Sequence, residues 1–496
     1  MLNQKRAPLL EAIQAYNQRD ILRLHVPAHG GGSGLPNELH SIAGWDVTEL
    51  PGLDDLHNPN GVIAQAQELL ADLYGAKKAF FLVNGTTVGL QALIAASCRD
   101  EQTLVLPRNA HRCVLGGLLL SNARPVFLEP EIVPHFEFAA GFSPQRLEAA
   151  LSQNPGVGAV LAVHPVYYGA VGNLAKVAQI CRHYQTALIT DEAHGTHLSF
   201  HQELPAGALS LGAWATVQSA HKTGGALTQT AWLLQGQVTQ ETKYSSLTNR
   251  ILFEQQIKNI LPVLQTGSPS YLLMASLDAA RRQLALKGSA LLDDLLCLAH
   301  ETAEQINRIP GMSVFGKEHL DGINLYDYDA TRLVISLRDL GLDGYQAARW
   351  LAEHQNIFVE MADHINLVAV LPLGMTRENS VRLIKALADL SRWAKRDGLR
   401  HRSYPVPQWP ELQIPKQIMT PRQAWLKDYM MLPLAQCRGL VSSELIAVFP
   451  PGIPVIYPGE EITPQVIEYL AQARDDKISV QGAADCTLAQ MRVVKE

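Results

Sequence analysis

The sequence has few cysteines and lacks long apolar runs, and both absences limit what the protein can be. Its six cysteines, in a chain of 496 residues, are scattered and include no Cys-x-x-Cys pair. We therefore predict reduced thiols rather than a disulfide framework or a zinc site. No stretch approaches the roughly 18 consecutive apolar residues of a membrane helix. The first 19 residues carry charges where a signal peptide has its apolar core, so we predict a cytoplasmic protein with no membrane partner.

An excess of basic charge is also missing. The chain has 41 Lys and Arg residues against 47 Asp and Glu residues, which gives a formal net charge of −6. General nucleic-acid binders carry positive charge to meet the phosphate backbone, so we predict no nucleic-acid partner. With 47% hydrophobic and 18% charged residues, the composition is that of a globular protein with a large core.

Between residues 79 and 234, short apolar runs alternate with helical patterns. This alternation is typical of βαβ units around a mostly parallel sheet, and so of an α/β fold. The runs are apolar throughout, as expected for strands that are covered on both faces. The predicted strands are Ala79–Val83, Thr103–Leu106, Val126–Leu128, Ala159–Val163, Ala187–Thr190, Ala215–Val217 and Ala231–Leu234, and the predicted helices include Thr86–Ser97, Arg112–Leu120, Pro144–Leu151 and Leu174–His183.

The rest of the chain suggests several further parts. Residues 1–60 are rich in turn residues and are predicted to form an N-terminal arm and loops, followed by a large domain over 61–300. A smaller α+β domain is predicted over 301–402, a Pro-rich linker over 403–410, and a C-terminal domain over 411–496. The predicted strands of the small domain are Leu333–Ser336, Ile357–Glu360 and Ile365–Val370, and its helices are Tyr345–His354 and Thr376–Trp393.

Polar residues follow several of the predicted strands, where ligands of open α/β sheets bind. Gly85 and Thr86 come directly before a predicted helix and could hold a phosphate at its start, although Thr86 could equally be an ordinary helix cap. Asp191, His111 and Lys222 follow other strands. Pyridoxal phosphate (PLP) needs such a set: a lysine for its Schiff base, a carboxylate at its ring nitrogen, donors for its phosphate and a flat partner over its ring.

The sequence around the lysine resembles the PLP attachment segment of the Orn/Lys/Arg decarboxylase family. That segment is Val217-Gln-Ser-Ala-His-Lys-Thr-Gly-Gly-Ala-Leu-Thr-Gln-Thr-Ala231. Other segments agree in order from about residue 20 to past 460, nearly the whole chain. They are His25-Val-Pro-Ala-His-Gly30, Gly52-Leu-Asp-Asp-Leu-His57, Val83-Asn-Gly-Thr-Thr87, Arg108-Asn-Ala-His111, Asp191-Glu-Ala-His-Gly195, Ser268-Pro-Ser-Tyr271 and Pro450-Pro-Gly-Ile-Pro454.

The resemblance implies a fold-type-I PLP enzyme, with a large domain like that of aspartate aminotransferase, a smaller domain and a C-terminal domain. In that interpretation Lys222 forms the Schiff base, Asp191 pairs with the ring nitrogen, and His111 stacks on the ring opposite Ala193. The phosphate contacts would be Gly85, Thr86, Ser219 and His221, with His194 also beside the cofactor. Glu360 would meet the substrate's distal cation, with Asp363 as a second acid. The family further implies at least a homodimer with active sites at the subunit interface.

Three features differ from many family members. The chain lacks the N-terminal wing domain of the long bacterial forms, so it resembles the short form. Gly224 and Gly225 stand where relatives carry bulkier residues, which we expect to loosen the turn after Lys222. The segment His164-Pro-Val-Tyr-Tyr-Gly169 replaces a Pro-Thr-Tyr-Tyr-Gly type and is expected to line the site.

Four other interpretations compete with the decarboxylase. Asp191-Glu-Ala-His194 also matches a helicase motif, but no Gly-x4-Gly-Lys-Ser/Thr loop precedes it. Asp191, His194 and His197 could bind zinc, but the PLP interpretation explains more of the same residues, so we predict no metal. A regulator without catalytic activity is disfavoured by the presence of Lys222. A PLP-dependent aminotransferase is the strongest alternative.

The sequence therefore predicts PLP-dependent decarboxylation of arginine, lysine or ornithine. Such a reaction would release carbon dioxide and supply polyamine metabolism with an amine.

Overall fold

A computed structural model describes residues 2–237, 247–396, 413–449 and 453–495. The chain divides into two compact units: residues 1–97 with 181–292, and residues 98–180 with 293–496. The predicted linker at 403–410 and part of the Pro450–Pro454 segment lie outside the described residues. The five-part domain division stays a prediction.

The first unit combines helices with four strands of the predicted sheet. Numbered in chain order, its elements are α1 (Pro8–Asn17), α2 (Val62–Leu73), β1 (Lys78–Leu82), α3 (Gly85–Ser97), β6 (Ala187–Asp191), β7 (Ala215–Gln218), α7 (Ala220–Thr223), β8 (Ala231–Gln235), α8 (Leu247–Leu264) and most of α9 (Tyr271–Asn307). The strand order is β1-β8-β7-β6. Strands β6 and β7 are parallel, and β8 runs antiparallel to both β7 and β1.

The helix α1 lies within residues 1–60, which were predicted as an N-terminal arm and loops. Leu9, Ile13 and Tyr16 are buried on one face of it, because their spacing of three and four residues forms an apolar stripe. Asp278 of α9 is fully buried and accepts the Leu9 backbone N–H at 3.0 Å. It also forms an ion pair with the fully buried Arg281, with Nη2 of Arg281 2.9 Å from Oδ1 of Asp278.

The second unit contains the other three strands of the predicted sheet together with several smaller sheets. Its strands are β2 (Thr103–Pro107), β3 (Arg124–Leu128), β4 (Ala159–Val163), β5 (Ala170–Val171), β9 (Ser313–Val314), β10 (Asp327–Tyr328), β11 (Arg332–Ser336), β12 (Met361–Ala362), β13 (Asn366–Val370), β14 (Tyr429–Pro433), β15 (Ile446–Phe449), β16 (Ile453–Ile456), β17 (Ser479–Gln481) and β18 (Gln490–Val494). Three parallel strands have the order β4-β2-β3. The other groups are an antiparallel sheet in the order β12-β13-β11-β9, the pair β10-β5, the pair β14-β18 and the group β16-β15-β17.

Helices of the second unit lie between these strands, except that α6 begins in it and ends in the first unit. They are α4 (Val114–Ser121), α5 (Pro144–Gln153), α6 (Leu174–His183), α10 (Gly344–Gln355), α11 (Arg377–Arg396), α12 (Pro421–Leu426) and α13 (Pro464–Asp475).

One predicted strand, Ile357–Glu360, is wrong. Residues 357–359 form no ladder, and Phe358 is 83% exposed. Pairing begins only at Glu360, whose N–H donates to the Val368 carbonyl at 3.0 Å, and β12 follows it. The run is apolar, but it has no neighbouring strand to satisfy its backbone groups, which a strand requires.

Among the described residues, no helix combines the length and the apolar character that crossing a bilayer requires.

Candidate active site

Three strands of the first unit end at the same edge of the sheet. Strand β1 runs antiparallel to β8, which runs antiparallel to β7, and β7 is parallel to β6. The carboxyl ends of β1, β6 and β7 therefore point the same way. This topology brings together the loop before α3, the residues after Asp191 and the segment that carries Lys222.

The loop after β1 can hold a phosphate. Gly85 has a φ of +75°, a conformation that other residues adopt only with strain, and it begins α3, whose first N–H groups are available to an anion. The hydroxyl oxygens of Thr86 and Ser219 lie 3.2 Å apart. Backbone N–H groups and two hydroxyls at one helix start are a donor set that suits the phosphate of PLP.

Tight packing fixes this loop against the sheet. A Cβ atom on Gly89 of α3 would lie 2.5 Å from the Val217 side chain and 2.7 Å from that of Leu82, so the helix rests directly on β1 and β7. Two glutamines hold the loop at Val83: Gln265 accepts its N–H at 2.9 Å, and Gln229 donates to its carbonyl at 2.6 Å. Sequence analysis gave neither glutamine a role: Gln229 belongs to the attachment segment but had no assigned contact, and Gln265 lies far along the chain with no local signal.

Asp191 ends β6 and is 5% exposed. One of its oxygens accepts the Ala193 N–H at 3.1 Å, which orients the carboxylate at the strand end. A buried carboxylate can hold a proton on a nearby ring nitrogen, because the negative charge favours the protonated form. The residue therefore fits the chemistry predicted for it.

Lys222 lies in the short helix α7, directly after β7. Its Nζ is 2.9 Å from Nε2 of His194, so the structure brings these two predicted residues together. The Thr196 hydroxyl donates to the Ser219 carbonyl at 3.0 Å, and Nδ1 of His221 lies 2.9 Å from the Thr230 carbonyl oxygen. The loop after β6 and the lysine segment are therefore bonded to each other.

Close packing explains why a glycine stands at position 224, directly after α7. A Cβ atom on Gly224 would lie 2.7 Å from the Thr196 side chain and 2.8 Å from the Ala220 carbonyl oxygen. The expected loosening of the turn is not what the structure shows at Gly224. A bulkier residue would push the loop of Thr196 away, and the glycine allows close contact instead.

Glu192, which sequence reasoning gave no role, lies fully buried beside Asp191. Its carboxylate accepts the Ala208 N–H at 2.8 Å, the Gln218 side-chain amide at 2.8 Å and the Thr216 hydroxyl at 3.0 Å. Burial raises the pKa of Glu192 to about 7, against the opposing effect of these donors and with a smaller contribution from Asp191. The signal that was available is its position: Glu192 is an acidic residue directly after an apolar strand and next to Asp191.

We expect Glu192→Gln to change how stability depends on pH. A carboxyl with a raised pKa stabilises the fold fully below its unfolded pKa of about 4.5 and loses that contribution as the pH rises through about 7. The variant lacks this titration. The free energy of unfolding of both proteins is measured in urea at pH 5 and at pH 8. Between these two pH values the wild type should lose about 2 kcal/mol more than the variant. The exposed Glu203→Gln serves as the control, and a pH-independent difference would contradict the raised pKa.

The remaining predicted site residues lie in the second unit. His111 is exposed in the turn after β2, where its Nδ1 accepts the Cys113 N–H at 3.3 Å. Its predicted place over the cofactor ring stays a prediction.

The two predicted substrate acids differ in their surroundings. Asp363 accepts hydrogen bonds from the Tyr168 hydroxyl at 2.8 Å, from the backbone N–H groups of Ile365 and Asn366 and from the Asn366 side chain. Such a carboxylate organises its own turn. Glu360 is exposed and accepts the Tyr167 hydroxyl.

The tyrosines belong to the segment His164–Gly169, which sequence analysis expected to line the site. Burial, together with the nearby acids, raises the pKa of both Tyr167 and Tyr168, so each hydroxyl stays a donor. The buried guanidinium of Arg332 donates to the Tyr167 carbonyl at 2.9 Å. This segment therefore holds both acids by hydroxyl groups.

Comparison with known proteins identifies the family. Two family models match the chain: Orn/Lys/Arg decarboxylase, major domain, over residues 7–379, and Orn/Lys/Arg decarboxylase, C-terminal domain, over residues 410–482. The arginine decarboxylase of Bacillus subtilis (strain 168) is 34% identical, over 100% of this chain and 99% of that protein. The arginine decarboxylase of Halalkalibacterium halodurans is 36% identical over the same shares. The chain belongs to the Orn/Lys/Arg decarboxylase family.

This membership confirms the predicted function. The chain is a PLP-dependent carboxy-lyase that acts on a basic amino acid, so the helicase, the regulator and the aminotransferase are set aside. The fold prediction is confirmed as well. The constitutive lysine decarboxylase of Escherichia coli has the same fold, with a TM-score of 0.80, 19% identity, and coverage of 99% of this chain and 82% of that chain.

Proposed function

We propose that this decarboxylase acts on arginine, releasing carbon dioxide and leaving agmatine. One observation carries the choice among the three basic amino acids. Relatives that are 34% and 36% identical over the whole chain are named arginine decarboxylases. The lysine decarboxylase noted above is 19% identical, and at that distance the likeness supports the fold only.

We assign the cofactor contacts to the residues at the strand ends of the first unit. The Gly85 and Thr86 backbone with the Thr86 and Ser219 hydroxyls would bind the phosphate, with His221 beside them. Asp191 would hold a proton on the ring nitrogen. When bound, PLP accepts the electron pair that the departing carboxylate leaves at the substrate's α-carbon.

Lys222 would supply the amine that attaches the cofactor, with His194 at its Nζ. His111 and Ala193 remain the proposed contacts to the two faces of the ring. These assignments rest on the family resemblance together with the geometry of the first unit.

A product assay tests the substrate. Purified enzyme with added PLP receives an equimolar mixture of arginine, lysine and ornithine, and mass spectrometry identifies the amines that form. Agmatine should dominate. Dominant cadaverine or putrescine would overturn the choice of arginine, and a keto acid without any amine would overturn decarboxylation.

We propose Glu360, rather than Asp363, as the acceptor of the substrate's guanidinium. Glu360 is exposed, whereas the oxygens of Asp363 already receive several donors in their own turn. A planar guanidinium binds a carboxylate through two parallel hydrogen bonds, so a carboxylate with accessible oxygens suits arginine.

Glu360→Gln should raise KM for arginine by about tenfold or more, because a charge-assisted hydrogen bond is worth roughly 1.5–3 kcal/mol. PLP content, read from absorbance, should stay that of the wild type. Glu353→Gln, at an exposed position of α10, is the matched control and should behave as wild type. An unchanged KM in Glu360→Gln would remove this residue from the site.

We also propose that the enzyme assembles at least as a homodimer with active sites at the subunit interface, as the family resemblance implies. A cytoplasmic location is proposed because no disulfide joins the cysteines of the described residues, as expected in a reducing compartment.

A further inference from the structure

Two side chains that can exchange a proton are in contact at the lysine. Nε2 of His194 lies 2.9 Å from Nζ of Lys222, within hydrogen-bond distance. His194 is 7% exposed. Both residues belong to the first unit: His194 lies in the loop after β6, and Lys222 lies in the short helix α7 within the loop after β7.

The backbone fixes this contact. Asp191 of β6 and Val217 of β7 are register partners, so the two loops leave the sheet side by side. The Ser219 N–H donates to the Ala193 carbonyl at 3.3 Å. The Thr196 hydroxyl in turn donates to the Ser219 carbonyl, and the Tyr74 hydroxyl donates to the Thr196 carbonyl at 2.7 Å. These hydrogen bonds at Ala193 and Thr196 fix the backbone on both sides of His194, and so they place its imidazole at the lysine.

The chemistry of Lys222 requires a proton acceptor. In its ammonium form a lysine carries three hydrogens on its nitrogen, whereas a ring nitrogen of histidine without a hydrogen has an electron pair that can accept a proton. An ammonium has no electron pair for nucleophilic attack. When the lysine must react, the Nε2 electron pair can take a proton from Nζ, which leaves the lone pair on the amine. The reverse transfer returns the proton.

We propose that His194 is a catalytic residue that accepts a proton from Lys222 Nζ when this amine attaches to the cofactor and returns it to Nζ when the amine is released. The inference rests on the proposed function of Lys222 but does not depend on which amino acid is the substrate. Other titratable groups around the pair have bonds of their own within the first unit: Asp191 with Ala193, Glu192 with Ala208, Thr216 and Gln218, His221 with Thr230, and Tyr74 with Thr196, while His197 is buried in the same loop.

The test measures the rate of covalent PLP attachment without any amino acid. Full-length protein freed of cofactor is mixed with PLP between pH 6 and pH 10; absorbance follows attachment, and borohydride reduction with peptide mass spectrometry assigns it to Lys222. His194→Gln should slow attachment about a hundredfold at pH 7, as expected for loss of a positioned base. The loss should shrink toward pH 10, where solution base removes the lysine proton.

Two further measurements separate this role from a structural one. Pyridoxamine 5′-phosphate has no aldehyde, so its affinity reports on the pocket alone and should fall far less in His194→Gln than the hundredfold loss expected for attachment. Added imidazole should restore attachment in His194→Ala. The exposed His183→Gln is the control. Unchanged attachment, an equal loss at every pH or a pyridoxamine phosphate affinity weakened as much as attachment would overturn the proposal, whereas failure of the proposed arginine specificity would appear only in the product assay.

Discussion

Lys222→Ala should lose covalent cofactor attachment and lower turnover by on the order of a thousandfold or more, as removal of a nucleophile does in other enzymes. The fold should be retained, since Lys222 is exposed and its side chain fills no core position. Residual binding should persist, because the proposed phosphate contacts at Gly85, Thr86 and Ser219 do not involve the lysine.

The decisive readout is the mass of the borohydride-reduced protein. Wild type should gain one cofactor-sized adduct on the peptide that contains residue 222, and the variant should gain none. Lys222→Arg keeps the positive charge but cannot attach the cofactor, so it should match the alanine variant. Lys287→Ala, which removes an exposed lysine of α9, should retain full turnover.

Retention of the adduct at another lysine in Lys222→Ala, with turnover near that of wild type, would contradict the assignment. Loss of turnover with unchanged attachment would show that Lys222 acts elsewhere in the reaction. The measurements on Lys222 and on His194 are separate, because the histidine variant is expected to retain slow attachment.

The elements that place these residues could be predicted because each strand is a buried apolar run that ends at a polar residue. The predicted bounds of β4 and α6 coincide with those observed, and those of β6 differ by one residue at Asp191. Parallel strands buried on both faces have no solvent-facing positions that interrupt the pattern. Residues after the strands could therefore be located, and their chemistry then indicated PLP.

What the sequence could not show is which distant side chains hold the site in place. Gln265 bonds to Val83 across 182 residues of sequence, and no local pattern predicts such a contact. Gly224 has its packing partner in another loop, so its role depends on three-dimensional proximity. In contrast, the stripe of Leu9, Ile13 and Tyr16 was readable, but the turn-rich composition of the first sixty residues obscured it.

The C-terminal region, for which the sequence offered no chemistry, is bonded to the end of β2 through Arg108. The Arg108 guanidinium donates to both oxygens of Glu460, at 2.5 and 2.9 Å, and to the carbonyls of Pro454 and Val455. It also lies over the rings of Phe127 and Tyr457, 4.7 and 5.1 Å from their centroids. Both charged groups are buried, and Glu460 is fully so. All of these residues belong to the second unit.

Arg108→Met should destabilise the second unit by about 3–5 kcal/mol, because it leaves the Glu460 carboxylate buried without its cation. The methionine retains much of the apolar volume, so the loss reports on charge and hydrogen bonds. Urea unfolding measures the free energy. Arg124→Met is the matched control: its ion pair with Glu101 is exposed, and such pairs are worth at most about 1 kcal/mol.

The double variant Arg108→Met/Glu460→Gln separates the ion pair from the packing around it. Once the carboxylate is gone, no buried charge remains to be compensated, so the double variant should be less destabilised than the two single variants summed. The double variant should still be less stable than the wild type. It loses the hydrogen bond from the Tyr457 N–H to the Glu460 carboxylate, at 2.7 Å, and the hydrogen bonds that Arg108 donates to two carbonyls. Additive losses would show that the two side chains stabilise the unit independently, and a loss in Arg108→Met no larger than in Arg124→Met would show that the C-terminal region is held by its apolar contacts instead.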